Sequence, residues 1–148
     1  MRAELMRYRN DTLSYLLTLA GLAFDACLLM LLYSAPGITC TDMYGKIIGI
    51  DILFNIIFLL VAFLTAEKVK TYTLNWCWSC LVLGALQLPR MLLPISLFTA
   101  SQLTLGKFIF ALIFVIGSSV CLILACVFSY LKSHKLDKHL KEISNKGE

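Results

Sequence analysis

The sequence predicts an all-α integral membrane protein. Four transmembrane helices form an up-and-down bundle with both termini cytoplasmic, and an amphipathic helix extends the C-terminus. Three observations carry this. Of 148 residues, 59% are hydrophobic and only 15% charged, with a mean hydropathy of +0.83. An ordinary soluble domain carries roughly 25% charged residues, and one this small has too much surface for its volume to bury so much apolar side chain. Second, four stretches reach the roughly 20 apolar residues that cross a hydrocarbon core. Third, the cations other than Arg90 lie in the tails and short turns. The net charge of +4 is therefore not a nucleic-acid footprint, which needs charge gathered on one folded face.

The domain organisation follows in order: a cytoplasmic tail over 1–12, a four-helix domain over 13–131, and a basic cytoplasmic helix over 132–148. Span one covers about 13–34 and contains Asp25. It is not expected to be a secretory signal: its apolar run is too long, it holds an aspartate, and Tyr33-Ser34-Ala35-Pro36 is a poor cleavage site. Asp11 and Thr12 are positioned to cap it, and Pro36-Gly37 ends it. Span two covers about 47–66 with Asp51 near its start, span three about 76–98 with Arg90, and span four about 108–131 with no charge.

Orientation comes from the cations in short loops. Arg2, Arg7, Arg9, Lys68, Lys70, Lys132, Lys135, Lys138, Lys141 and Lys146 lie on one side, against Lys46 and Lys107 on the other. The richer side is expected to be cytoplasmic, in a cell or inner membrane. Tyr15, Tyr72, Trp76, Trp78 and Tyr130 then fall near the inner interface and Tyr33 and Tyr44 near the outer one, as an aromatic belt requires.

A shift of 61 residues aligns Thr12-Leu13 with Thr73-Leu74, Met30-Leu31-Leu32 with Met91-Leu92-Leu93, and Gly45-Lys46 with Gly106-Lys107. These matches suggest a tandem repeat of two-span hairpins, related by an axis along the membrane normal. The two halves differ in chemistry. The first carries Asp25, Asp51 and Asn55; the second carries Gln87 and Arg90.

Those five residues are the candidate site. Charges in hydrocarbon are costly and face a partner or a wet cavity. At 1.5 Å per residue, the rise places Asp51 near the depth of Arg90, and Asp25 near Asn55 and Gln87. Two layers are expected: Asp51 paired with Arg90, and Asp25 held by the two amides. The cluster is either a structural knot of interhelical bonds or a site for a small polar solute or a proton. Two carboxylates against one guanidinium keep the second reading open. Gly84, Pro89 and Pro94 interrupt span three around Gln87 and Arg90, and Pro89 frees the carbonyl of Ala85. Broken helices at membrane depth line binding sites, although a kink packed against neighbours has the same sequence.

No metal, cofactor or catalytic set is expected. Both histidines, His134 and His139, lie in the tail. Cys77-Trp78-Ser79-Cys80 has the spacing of quinone-linked membrane thiol oxidoreductases, but it sits at the cytoplasmic end and lacks the two outer cysteines of that mechanism. Small apolar packing accounts for these cysteines. Asp51-x-x-Phe54-Asn55-x-x-Phe58, a basic turn and Leu74-Asn75-Trp76 loosely resemble the middle helices of voltage-sensor domains over about 30 residues. Span four has no arginine ladder, so the gating charge of that family is missing.

Helix packing is expected at Gly45-x-x-x-Gly49, at Ala20, Ala23 and Cys27, and at Gly117-Ser118-Ser119. Span four, free of charge, is expected to face lipid or a larger partner. Leu136, Leu140 and Ile143 make a stripe in the tail helix, with lysines opposite. Two functions fit: an accessory or assembly subunit of a larger membrane complex such as a transport system, or a small homodimeric transporter working through the polar cluster. Expected partners are the bilayer and a larger membrane protein or a second copy, with no nucleic acid.

Overall fold

A computed structural model describes residues 11–33, 42–71, 74–101 and 103–144, without the side chains of 42–48, 74–75, 140 and 142–144. Arg2, Arg7, Arg9, Pro36-Gly37, Cys40, Tyr72 and Lys146 lie outside the described residues, as do the side chains of Tyr44, Lys46, Leu140 and Ile143.

The described residues are helical, with no strand among them. Helix α1 is Thr12–Tyr33, α2 is Asp42–Val69 and α3 is Leu74–Gln87. A 3₁₀ turn, Leu88–Met91, joins α3 to α4, Leu92–Thr99, and α5 is Leu105–Ser144. Four segments are long and apolar enough to cross a membrane: Thr12–Tyr33, Gly49–Val69, Trp76–Thr99 and Leu105–His139. This makes the chain a multi-pass membrane protein by length and composition, and the ends agree with the spans read from the sequence to within a few residues. The last spanning segment is longer, because span four and the helical tail expected after it form one unbroken helix of 40 residues. At 1.5 Å per residue it is about 60 Å long, twice a hydrocarbon core.

The start of α1 is fixed by a side-chain cap. Asp11 Oδ1 accepts the Ser14 backbone N–H at 3.3 Å, and Oδ2 accepts the Ser14 hydroxyl at 2.6 Å. The third span ends where Ser101 takes a left-handed φ of 57°.

Hydrophobicity does not mark the inward faces, because these helices are apolar all round. Small and polar residues do. In α1 the buried positions are Ser14, Thr18, Gly21, Asp25, Leu28 and Leu32. Their alternating steps of four and three trace one seam. The matching seam in α5 is Ala111, Val115, Ser118, Leu122, Ala125, Ser129 and Ser133. The outward faces carry bulky apolar side chains such as Leu16, Met30, Ile50, Leu53, Leu60, Leu92 and Leu105. Against hydrocarbon this inversion has no cost, since lipid tails are as apolar as leucine.

Helix α5 packs most closely, against α1 on one side and α3 on the other. A Cβ on Gly21 would lie 3.1 Å from Leu122 Cγ and 3.3 Å from the Ser118 carbonyl oxygen. On Gly84 it would lie 3.0 Å from Ile123 Cγ1 and 3.3 Å from the Ser119 carbonyl oxygen. A Cβ at either position would push α5 back by a few tenths of an ångström. Ser119 donates to the Gly84 carbonyl at 2.9 Å across the second contact.

Two packing expectations are corrected here and one is extended. Span four keeps an exposed apolar side, with Ile109, Ile113, Ile116 and Val120, and is also the helix around which α1 and α3 close, since Ala111, Ser118, Ser119, Ala125 and Ser129 supply a small residue on nearly every turn. Ala23 and Cys27 face outward, because the seam of α1 runs through Gly21 instead. Gly49 meets nothing within 4 Å, and Gly45 lies outside the described side chains.

Candidate functional site: a polar network spanning the bundle

Asp25, on the α1 seam, is fully buried. Facing it are Gln87, the last residue of α3, and Arg90, inside the 3₁₀ turn. Pro89 creates this turn by denying the helix one donor. In a 3₁₀ turn residues three apart eclipse, so Gln87 and Arg90 stack one above the other. Arg90 Nη1 donates to Gln87 Oε1 at 2.9 Å. The same Nη1 makes a close charge-assisted bond to Asp25 Oδ1. Gln87 Nε2 donates to Asp25 Oδ1 at 3.0 Å and to Ser118 Oγ at 3.3 Å. One amide thus bridges the cation, the carboxylate and α5.

Helix α2 completes the network. Arg90 Nη2 donates to Asn55 Oδ1 at 2.6 Å. Asn55 Nδ2 donates to the Asp51 backbone carbonyl at 2.7 Å and to Asp51 Oδ2 at 3.0 Å. The Tyr33 hydroxyl, from the end of α1, donates to the same Oδ2 at 2.7 Å. Asp51 Oδ1 is 3.8 Å from Arg90 Nε. The Phe54 ring lies under the guanidinium, 5.4 Å from centroid to Cζ. Within this network two buried atoms lack a hydrogen-bond partner among the described residues, Asp25 Oδ2 and Arg90 Nε.

All five candidate residues therefore meet, but not in the two expected layers. Arg90 bonds Asp25 directly, and Asp51 is its more distant partner. The reason is reach. The guanidinium sits at the end of a long, flexible stem, so the depth of its Cα does not fix the depth of its charge. The surplus carboxylate is Asp51, stabilised by neutral donors.

Tyr33, Ser118 and Phe54 belong to the network and lie outside the five candidates read from the sequence. Tyr33 reads as an interfacial tyrosine and Ser118 as a packing residue. Tyr33 sits two turns beyond Asp25, a spacing that marks a shared face but is common by chance. Of the helix-break residues, Pro89 lies within the 3₁₀ turn and lines a cleft, Pro94 is buried, and Gly84 seats α5.

A second polar cluster lies at the Asp11 end. Asp11 accepts from Lys132 Nζ at 2.5 Å, and its backbone N–H donates to the Lys70 carbonyl at 3.0 Å. Nearby, Thr18 Oγ1 is 4.0 Å from Cys80 Sγ, and Cys77 Sγ is 3.0 Å from Ser129 Oγ. Both cysteines of the C-x-x-C pair thus face the seam. No group of three metal-ligating side chains occurs among the described residues.

No protein-family model, curated protein or solved structure matches the chain, so its chemistry is read from its own residues.

Proposed function

We propose that this chain is an accessory or assembly subunit of a larger membrane complex such as a transport system. It is an up-and-down bundle with both termini in the cytoplasm. The observation that carries the reading is α5, a single 40-residue helix about twice the length a bilayer needs, with Lys135, Lys138 and Lys141 exposed. Such a helix carries a basic face out of the membrane, where it meets anionic lipid or an acidic surface of a partner. The inward-looking polar network supports the same reading: Asp25, Asn55, Gln87, Arg90 and Ser118 bond one another across all four spans, which suits a bundle that holds its shape. Orientation is supported by the clustering of Asp11, Lys70 and Lys132 at one end, the end richer in cations.

The test is purification in mild detergent of the full chain and of a chain ending after Ser133. A stoichiometric membrane partner that accompanies the full chain and is lost from the truncated one supports the proposal. A lone homodimer in both preparations sinks it and favours the second reading, a small self-sufficient transporter. One feature favours that alternative: Asp51, the surplus carboxylate, lines an open cleft between α2 and the third span.

A further inference from the structure

The α2–α3 seam is open beside the polar network. A cleft of about 460 Å³ lies between α2 and the third span, bounded by Ile50, Asp51, Phe54, Pro89, Arg90 and Leu93. A second, of about 350 Å³, shares Phe54 and Leu86 with it and extends toward Phe58 and Trp78. The walls are apolar except at one end, where Asp51, Arg90 and Ser96 stand.

The charges at that end do not balance. Two carboxylates surround one guanidinium, which leaves one negative charge among the described side chains. Arg90 is committed to Asp25, which lies behind it and is fully buried. Asp51 is left on the cleft wall with Tyr33 and Asn55 as hydrogen-bond donors and its nearest cationic atom 3.8 Å away. An uncompensated charge at membrane depth is costly, and a cation beside it relieves that cost. The rest of the wall accepts only apolar matter. Phe54, on that wall, offers a ring surface to an organic body.

We propose that this cleft binds a lipophilic monovalent cation, an ammonium or phosphonium centre on an aromatic or alkyl body, with Asp51 as its counter-ion. The proposal does not depend on whether the chain works alone or within a complex, since it concerns the occupancy of one cleft.

The test uses the full chain in dodecyl maltoside and equilibrium dialysis of tetraphenylphosphonium, with tetraphenylborate as an anion of the same shape. The expected result is saturable binding of the cation, displaced by decyltrimethylammonium, and at least tenfold weaker saturable binding of the anion. Asp51→Asn should weaken cation binding at least tenfold and Asp51→Glu should retain it. Leu86→Trp, which fills the wall and keeps the charge, should also weaken it. The proposal is overturned if the anion binds as tightly as the cation, if no saturable component exists, or if folded Asp51→Asn binds as the parent does. Should Asp51→Asn fail to fold, the cation-to-anion preference of the parent and the loss in Leu86→Trp decide. These readouts are independent of partner co-purification, so this proposal and the subunit reading fail separately.

Discussion

Around Gly84, the two faces of the third span show how one helix can be closed on one side and open on the other. Toward α5, Gly84 brings the backbones together and Ser119 bonds across the contact. Toward α2, bulky Leu86, Phe54 and Phe58 hold the helices apart and leave clefts. In a bilayer no hydrophobic force closes such a gap, because lipid fills it as well as protein does. Closeness therefore depends on small residues, and polar bonds are needed where small residues are missing. The Arg90–Asn55 bond fastens α2 to the third span across the looser seam.

That contrast can be broken most severely at Arg90. Arg90→Gln leaves buried Asp25 and partly buried Asp51 with no cation, and breaking a buried pair costs about 3–5 kcal/mol. We expect a large loss of thermal stability in detergent, with α2 released. Asp25→Asn should cost less, because Asp51 remains to balance Arg90, and Asp51→Asn least, because the close Asp25–Arg90 pair survives. Melting curves of the three variants test this order. If Asp51→Asn proves the most damaging, Asp51 and not Asp25 is the main partner of Arg90.

Next in size is the closed seam. Gly84→Val or Gly21→Val forces side-chain atoms into contacts already at 3.0–3.3 Å for Cβ alone. Overpacking of this kind costs about 1–3 kcal/mol. Gly49→Ala, with nothing within 4 Å, should be neutral or slightly stabilising, since alanine favours helix over glycine by roughly 1 kcal/mol. Equal melting shifts at Gly49 and Gly84 would refute the contrast between seams.

Smaller effects are expected at the Asp11 end. Asp11→Ala removes the cap of α1 and the partner of Lys132, and loss of a cap costs about 0.5–2 kcal/mol. Amide exchange should rise in the first turn of α1 and not around Asp25; a rise in both would mean the two clusters are coupled. Smallest of all is Ser119→Ala, because interhelical hydrogen bonds in membranes average about 0.6 kcal/mol. Its shift should fall well below that of Gly84→Val, and a comparable shift would assign the closeness of α3 and α5 to the hydrogen bond rather than to the missing Cβ.

The number of spanning helices and their approximate ends were legible in the chain, because a run of about 20 apolar residues has few other uses. The five polar candidates were legible for the same reason: in a sequence this apolar, Asp25, Asp51, Asn55, Gln87 and Arg90 stand out, and burial in hydrocarbon obliges them to find partners. The capping role of Asp11 was legible too, because it needs only residues three apart. Which carboxylate Arg90 takes was decided by tertiary structure. The 3₁₀ turn at Pro89 and the long arginine stem move the charge away from the depth of its Cα. Tertiary structure likewise decided that α5, the span without charge, is the one α1 and α3 close around. Helices that are apolar on every side carry no moment to show which face turns inward. That choice falls to shape, at Gly21 and Gly84, where a missing side chain on one helix admits the backbone of another.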